Sequence, residues 1–198
     1  MAKNTLKVVG ASNHTDAERS KLDYYGTDPR STEALLEVEK FSEDIWEPAS
    51  GHNLITDVLR AKGYKVFATD IADYGCQDKI INFLETDSLF TEEVDWDGDI
   101  VTNPPYGLST EFACRALEVA KPGRKVAMFL RLLFLEGTKR YDVLFKENPP
   151  KVIYVFTNRQ VSDKNDDFDH GSAVAYAWFV WEKGSKSEPI VKWIQSKK

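Results

Sequence analysis

The residues best suited to chemistry in this chain form an Asn-Pro-Pro-Tyr tetrad directly after a short apolar run: Asn103, Pro104, Pro105 and Tyr106. The side-chain oxygen of the asparagine can accept a hydrogen bond from an amine. Proline has a fixed φ and no N–H, so the two prolines form a stiff turn whose carbonyl is a second acceptor. The tyrosine ring offers a surface on which a flat group can stack. The tetrad is therefore typical of a site that holds a planar amine while its nitrogen attacks, although an ordinary turn after a strand uses similar residues.

A second pattern, upstream of the tetrad, predicts a nucleotide-binding βαβ unit. A strand at residues 45–47 leads into a small-residue turn, a helix follows from Leu54, and a strand at 65–69 ends at Asp70. An acid in that place can accept hydrogen bonds from ribose hydroxyls. The turn contains a single glycine, Gly51, whereas a dinucleotide fingerprint has several, so NAD is a poor candidate. S-adenosylmethionine has a ribose and no phosphate, and fits this turn better.

With these motifs, the chain resembles the class I S-adenosylmethionine-dependent methyltransferases, and more closely the small phage and prophage enzymes that methylate the N6 amine of adenine in DNA. The resemblance covers residues 23–183; its most specific part is the tetrad, and the Glu-Pro turn and Asp70 support it. Segments 129–137 and 175–181 also resemble the small phage enzymes. The resemblance implies S-adenosylmethionine as the cofactor, with these contacts: Tyr25, Thr27, Pro29, Glu47, Pro48, Ala49, Ser50, Gly51, Asn53, Asp70, Ile71, Asn82, Phe83 and Asn103.

Two positions depart from the family's pattern. Asn53 stands where the cofactor turn usually has a second glycine, and Asn82 stands where an acid often contacts the cofactor's adenine. Asparagine tolerates the left-handed backbone conformation, and its amide oxygen can still accept from an amine. We therefore expect weaker cofactor binding, but not its loss.

The predicted fold is α/β: a single, doubly wound, mostly parallel seven-stranded sheet with one antiparallel strand, which is the Rossmann-like methyltransferase fold. Residues 1–22 are predicted to be a flexible tail, 23–183 the methyltransferase domain and 184–198 a C-terminal extension. Beyond the βαβ unit, strands are predicted at 80–84, 99–102 and 125–131, with an antiparallel pair at 152–156 and 173–181. Helices are predicted from Pro29 to about residue 40, from a capping Ser109 to residue 120, and over 138–145.

Composition narrows the class of protein. A chain of 198 residues with 42% apolar residues suits one α/β domain, and no run approaches the length of a membrane span. Without a signal-peptide pattern, we expect a cytoplasmic protein of a bacterial or phage-infected cell. Cys76 and Cys114 lack metal-binding spacing and the three histidines are isolated, so reduced thiols and no metal are expected.

The charge pattern bears on nucleic-acid binding. A formal net charge of −6 argues against strong general DNA binding. Local contacts to phosphate are expected from four basic residues: Lys139, Arg140, Arg159 and Lys164. The last two belong to a segment at 158–171 that exceeds an ordinary hairpin loop and is either functional or simply mobile. Phe168 in the same segment is a candidate for stacking on a base.

The predicted reaction is methyl transfer to the exocyclic amine of adenine in DNA. The chain has no room for a recognition domain, so we expect a short site, low specificity, or a partner protein that supplies specificity. Two alternatives remain open. In the first, the methyl acceptor is adenine in RNA or a protein glutamine amide. In the second, the chain is an inactive protein of the same fold that binds a partner.

Overall fold

A computed structural model describes residues 24–88, 96–169 and 172–197. The predicted tail, most of the acidic segment 87–97 and the end of the segment 158–171 lie outside these ranges. The strands are β1 (Gly26–Thr27), β2 (Asp44–Glu47), β3 (Lys65–Asp70), β4 (Lys79–Ile80), β5 (Asp99–Thr102), β6 (Lys125–Arg131), β7 (Val152–Phe156), β8 (Ser162–Asp163), β9 (Tyr176–Glu182) and β10 (Ile190–Ile194). The helices are α1 (Pro29–Val38), α2 (Leu54–Ala61), α3 (Ser109–Val119) and α4 (Thr138–Arg140, continued by a π-helical turn over Tyr141–Phe145).

The main sheet has the order β10-β7-β9-β6-β5-β2-β3-β4. β9 is antiparallel to both of its neighbours, β6 and β7, and the other pairs are parallel. The predicted α/β fold with a mostly parallel sheet and one antiparallel strand is confirmed.

The number of strands differs from the prediction. Among the described residues the main sheet has eight strands instead of seven, because β10 pairs in parallel with β7. This strand lies within the predicted C-terminal extension. It is an edge strand, and its Trp193 side chain is 68% exposed. An edge strand with little buried apolar surface has a weak sequence pattern, so the prediction missed it.

Two predicted elements are corrected in detail. The strand predicted at 80–84 ends at Ile80, because the Asn82 side-chain oxygen accepts from the Leu84 N–H at 3.2 Å and the chain turns into a 3₁₀ helix at Phe83. Ser109 is not the cap of α3 but its first residue, and its hydroxyl donates to the Tyr106 carbonyl at 3.0 Å. The helix itself has nearly the predicted bounds.

The centre of the sheet is buried on both faces. Along β6, Val126, Met128 and Leu130 pack on one face, while Ala127 and Phe129 pack on the other. This alternation follows from the two-residue period of a strand. Helix α3 covers the first face, and α1 and α2 cover the second. The carboxyl ends of β2, β3, β5 and β6 therefore meet at one edge of the sheet, where ligands bind in open α/β folds.

Candidate active site

A pocket lies at the carboxyl ends of β2, β3 and β5. Of the fourteen predicted cofactor contacts, eleven line it: Tyr25, Thr27, Glu47, Pro48, Ala49, Ser50, Asp70, Ile71, Asn82, Phe83 and Asn103. Three do not line it: Pro29, Gly51 and Asn53. Pro29 occupies the first turn of α1, where its fixed φ suits a helix start. The other two form the turn beneath the pocket.

The turn after β2 needs unusual backbone angles. Gly51 has φ +49°, and Asn53 adopts the left-handed conformation with φ 62°. A Cβ on Gly51 would lie 2.2 Å from the ring of Tyr24. The space that glycine leaves is thus filled by a tyrosine of this chain. The Asn53 amide donates to the Cys76 carbonyl at 2.5 Å, which ties the turn to the loop after β3.

Glu47 ends β2 and is fully buried at the pocket wall. The Thr56 hydroxyl donates a hydrogen bond to its carboxylate. Burial raises the pKa of Glu47 well above its ordinary value, and this outweighs the opposite effect of that hydrogen bond. A cationic ligand in the pocket would favour the ionised form of this carboxyl.

Asp70 ends β3, as predicted, and two backbone N–H groups hold its side chain in place. The Gly51 N–H donates to Oδ2 at 2.9 Å, and the Ala72 N–H donates to Oδ1 at 3.0 Å. Burial raises its pKa, partly offset by these bonds. Since each carboxylate oxygen accepts more than one bond, the fixed Asp70 can still accept from ligand hydroxyls.

The tetrad follows β5, and one contact fixes the orientation of Asn103. Its Nδ2 donates to the Tyr25 carbonyl at 2.8 Å, and only the NH₂ end of the amide can make that bond. The other end, Oδ1, is buried and has no partner among the described residues. Asn103 therefore keeps a free acceptor, and the residue lines the pocket.

Tyr106 is held from two sides. Its hydroxyl lies 2.7 Å from Ser162 Oγ and 3.1 Å from the Tyr176 hydroxyl. Its ring centroid lies 5.1 Å from that of Tyr25 and 4.2 Å from the guanidinium carbon of Arg131. Burial raises the pKa of Tyr106 well above its ordinary value, so it is a neutral hydroxyl. The tetrad is thus connected to β8 and β9 through this side chain.

Polar atoms without partners gather at this pocket. Thr27 Oγ1 and Ser50 Oγ, like Asn103 Oδ1, are buried and have no hydrogen-bond partner among the described residues. All three residues line the pocket. A buried polar group without a partner costs about 1–3 kcal/mol, so a polar ligand there would be stabilised by several free groups.

Sequence reasoning missed several aromatic residues of the site. Tyr24 and Tyr74 line the pocket, with their rings 5.4 Å apart, and Phe112 of α3 lines its floor. Tyr24 adjoins the predicted Tyr25, and Tyr74 follows Asp70 by four residues, so proximity along the chain was the available signal. Tyr24 lies in the segment 23–29 that resembles the family's N-terminal cofactor segment, but neither tyrosine was predicted as a contact, and only the fold shows that both face the pocket.

The segment after β7 lies against this site. Within it, β8 pairs antiparallel with β1. Asp166 Oδ1 accepts from the Tyr24 hydroxyl at 2.7 Å, and its Oδ2 lies 2.6 Å from His52 Nδ1. These contacts hold the segment against Tyr24, which lines the pocket, and against His52 in the turn after β2. Phe168 contributes its carbonyl, which accepts from Arg30 at 3.3 Å.

The four predicted phosphate contacts have different surroundings. Arg140 donates to the carbonyls of Phe134 at 2.7 Å and Glu136 at 2.5 Å, so its side chain secures a turn of this chain. Lys139 and Arg159 are exposed, and Arg159 lines a small pocket beside Tyr176. The Nζ of Lys164 lies 5.1 Å from the Tyr25 ring centroid, at the border of the main pocket.

Metal-binding clusters and membrane-spanning helices are both absent from the described residues. No cluster of histidine, cysteine and acidic side chains among them is arranged to hold a metal ion. None of the helices in residues 24–88, 96–169 and 172–197 combines the length and apolar character needed to cross a membrane.

Several solved structures have a similar fold. A Listeria monocytogenes protein assigned to the class I S-adenosylmethionine-dependent methyltransferases is 15% identical, with a TM-score of 0.57, over 91% of this chain and 69% of that one. The M protein of the type I restriction enzyme EcoKI is 16% identical, with a TM-score of 0.56, over 84% of this chain and 45% of that one. TrmN from Thermus thermophilus is 18% identical, with a TM-score of 0.54, over 78% of this chain and 48% of that one.

The chain thus spans about half the length of TrmN and of the EcoKI protein. No protein-family model and no curated protein matches it. At these identities the likeness establishes the fold: this chain has the Rossmann-like fold of class I methyltransferases.

Proposed function

We propose that this chain uses S-adenosylmethionine to methylate the exocyclic N6 amine of adenine in DNA, with a short or loosely defined recognition site. The observation that carries the proposal is the orientation of Asn103. Its amide nitrogen is bonded to the Tyr25 carbonyl, and its buried oxygen is left as an acceptor without a partner. An acceptor held in this way is suited to bind an –NH₂ group.

The pocket residues fit S-adenosylmethionine. Asp70, held by two backbone N–H groups, would accept from the ribose hydroxyls. Thr27 and Ser50 offer buried oxygens without partners, and Glu47 offers a buried carboxyl to the positively charged methionine end. When bound, the cofactor supplies a methyl group on a sulfonium centre.

The chain's own residues then act by positioning. The lone pair of an aromatic amine is delocalised into its ring, which makes the nitrogen a poor nucleophile. Asn103 Oδ1 and the Pro104 carbonyl would accept the two N–H groups and favour a more tetrahedral nitrogen, whose lone pair is free to attack. Methyl transfer would give the amine a new N–C bond in place of the cofactor's S–C bond, and the amine would then lose a proton to solvent. This requires orientation and fixed dipoles, and no strong base.

The proposed substrate is DNA because the tetrad resembles that of the DNA adenine enzymes. A base within a duplex must leave the stack to reach a pocket at the sheet edge, so single-stranded or easily opened DNA should be the better substrate. We propose three basic residues near the site as phosphate contacts: the exposed Lys139 and Arg159 and the half-buried Lys164. A protein partner would supply specificity if the chain alone has none.

Adenine in RNA and a protein glutamine amide are the competing substrates, since the same Asn103 oxygen can accept from either. The test is incubation of the purified protein with radiolabelled S-adenosylmethionine and separate DNA, RNA and protein pools. We expect label in the DNA pool, as N6-methyladenine, and none with Asn103→Ala. Label confined to another pool would replace the proposed substrate, and label in none would favour an inactive binding protein.

A further inference from the structure

A second pocket adjoins the tetrad and is not explained by cofactor binding. It lies at the end of β6, and its wall includes Tyr106, Arg131, Leu133 and Phe134. Tyr106 also lines the cofactor pocket, so its side chain is the partition between the two. Since the first pocket fits the cofactor, the second is the space left for the group that receives the methyl.

Arg131 is the unusual residue of this second pocket. Its guanidinium carbon lies over the Tyr106 ring, 4.2 Å from the centroid. Its Nε is buried without a partner, and none of the described residues accepts a hydrogen bond from the guanidinium. Arg140, which lines the same pocket, differs because carbonyls of this chain occupy its donors. Arg131 therefore has donors to spare beside the position of the substrate.

Two neighbouring strands bring Arg131 and Asn103 to the same edge of the sheet, on the two pockets that share Tyr106. β5 and β6 are parallel with Thr102 opposite Met128. Asn103 directly follows β5, and Arg131 is the last residue of β6, so both lie at the edge where the strands end. One contributes a free acceptor and the other contributes free donors. Adenine presents the complementary pair, since the N6 amine is a donor and the adjacent N7, like N1 on the other edge, is an acceptor.

We propose that Arg131 donates a hydrogen bond to the ring nitrogen adjacent to the reacting amine, so that Asn103 and Arg131 together recognise one edge of adenine. The proposal rests on the proposed function and adds the residue that selects the base. The aliphatic and aromatic wall formed by Leu133 and Phe134 suits a base better than a hydrated phosphate. The Tyr106 ring fixes the position of the guanidinium, which lies 4.2 Å from the ring centroid.

The first test compares methylation rates on single-stranded oligonucleotides that contain one adenine, one 7-deazaadenine or one 1-deazaadenine. The wild-type protein should lose about tenfold to a hundredfold in kcat/KM on one deaza substrate, the loss expected for one hydrogen bond to a charged group. Arg131→Met should show a similar loss on adenine and no further loss on that deaza substrate. If Arg131→Met still discriminates as the wild type does, Arg131 does not contact the ring nitrogen and the proposal is wrong.

Two variants control for other effects. Arg131→Lys keeps the charge and loses the planar donors, so it should resemble Arg131→Met. Arg124→Met removes an arginine just before β6, where it pairs with Asp97 far from the pocket, and should behave as wild type. Circular dichroism on all variants separates loss of fold from loss of recognition. If Arg131→Lys restores full discrimination, charge alone is sufficient and the donor geometry proposed here is wrong.

A second measurement does not depend on activity. The guanidinium signals of Arg131 in a ¹⁵N spectrum, identified by their absence in Arg131→Lys, should shift when the adenine oligonucleotide is added with S-adenosylhomocysteine. The shift should shrink with one deaza oligonucleotide. If no shift occurs with adenine, the inference is overturned even where DNA is methylated. If the shift occurs without methylation, the inference stands and the proposed reaction fails.

Discussion

The Asn103 side chain donates to the Tyr25 carbonyl at 2.8 Å, and this bond leaves the amide oxygen buried and without a partner among the described residues. The pairing connects the tetrad after β5 to the segment that precedes β1. It turns a flexible amide into a directed acceptor at the pocket where the cofactor is proposed to bind.

Asn103→Ala should abolish methyl transfer and leave cofactor affinity nearly intact, because its free oxygen is proposed to face the substrate. Loss of the bond to Tyr25 should lower the free energy of unfolding by about 1 kcal/mol. Methyl-transfer assays and calorimetric titration with S-adenosylmethionine measure the two properties separately. Near-normal methylation by a folded variant would contradict the mechanism.

Asp70→Ala should weaken S-adenosylmethionine binding at least about tenfold, since hydrogen bonds to a charged group contribute about 1.5–3 kcal/mol each. It should also lower stability, because Asp70 holds the backbone of Gly51 and Ala72. Asp78→Ala is the matched control: this carboxylate holds the Ala68 N–H at 2.7 Å but does not line the pocket. The control should lose stability and keep affinity. Equal affinities in both variants would mean that Asp70 is structural only.

Glu47 should make stability depend on pH. Its pKa is raised in the folded state, so above the ordinary glutamate range the folded protein binds more protons than the unfolded chain. Stability should then fall as pH rises from the unfolded pKa through the folded pKa. Urea unfolding across this pH window should show that the free energy of unfolding depends less steeply on pH in Glu47→Gln than in the wild type. The pKa of Asp70 is also raised, so both proteins should lose some stability as pH rises, and the difference between them is what reports on Glu47. Identical slopes of unfolding free energy against pH would contradict a raised pKa of Glu47.

Tyr106→Phe and Tyr106→Ala should differ in kind. The phenylalanine variant keeps the ring and loses the contacts of the hydroxyl with Ser162 and Tyr176, for about 1 kcal/mol of stability. The alanine variant also loses the ring, and should weaken oligonucleotide binding by a further amount of about 1–3 kcal/mol. Fluorescence anisotropy with labelled single-stranded DNA gives the binding constants. Equal weakening by both variants would show that the hydroxyl, and not the ring, matters for the substrate.

Neutralising Lys139, Arg159 and Lys164 together should weaken binding to all DNA sequences and reduce the dependence of affinity on salt, as expected for phosphate contacts. Arg140→Gln should instead lower stability, because its donors are bonded to carbonyls of this chain. Binding titrations at several salt concentrations measure the slope. An unchanged slope in the triple variant would place the DNA elsewhere.

Low specificity is a separate prediction. Methylation mapping of plasmid DNA treated with the pure protein should show a very short modified site or scattered adenines. A single modified motif of six or more base pairs would show that loops such as the segment after β7 recognise sequence.

The sequence alone determined the order of the central strands and of the helices, and it identified the most specific motif. Local patterns predicted β5 and β6 with their observed bounds and α1 to within two residues, because apolar periodicity, Asp28-Pro29 and the turn residues are encoded within a few positions. Asp70 at the end of β3 followed from the same local reasoning, and the left-handed Asn53 agrees with the tolerance of asparagine for that conformation. Eleven of the fourteen residues predicted as cofactor contacts line one pocket, and their role there stays a prediction.

Contacts between distant segments were decided only by the tertiary structure. No pattern in the sequence indicates that Asn103 meets Tyr25, that Tyr24 fills the space above Gly51, or that Arg131 lies over Tyr106. The sequence analysis also missed β10. This strand pairs with the one side of β7 that β9 does not occupy, and that free side is a property of the assembled sheet. Residue type and spacing determine the local backbone, whereas the direction of a side-chain amide or guanidinium depends on which groups the packed sheet brings beside it.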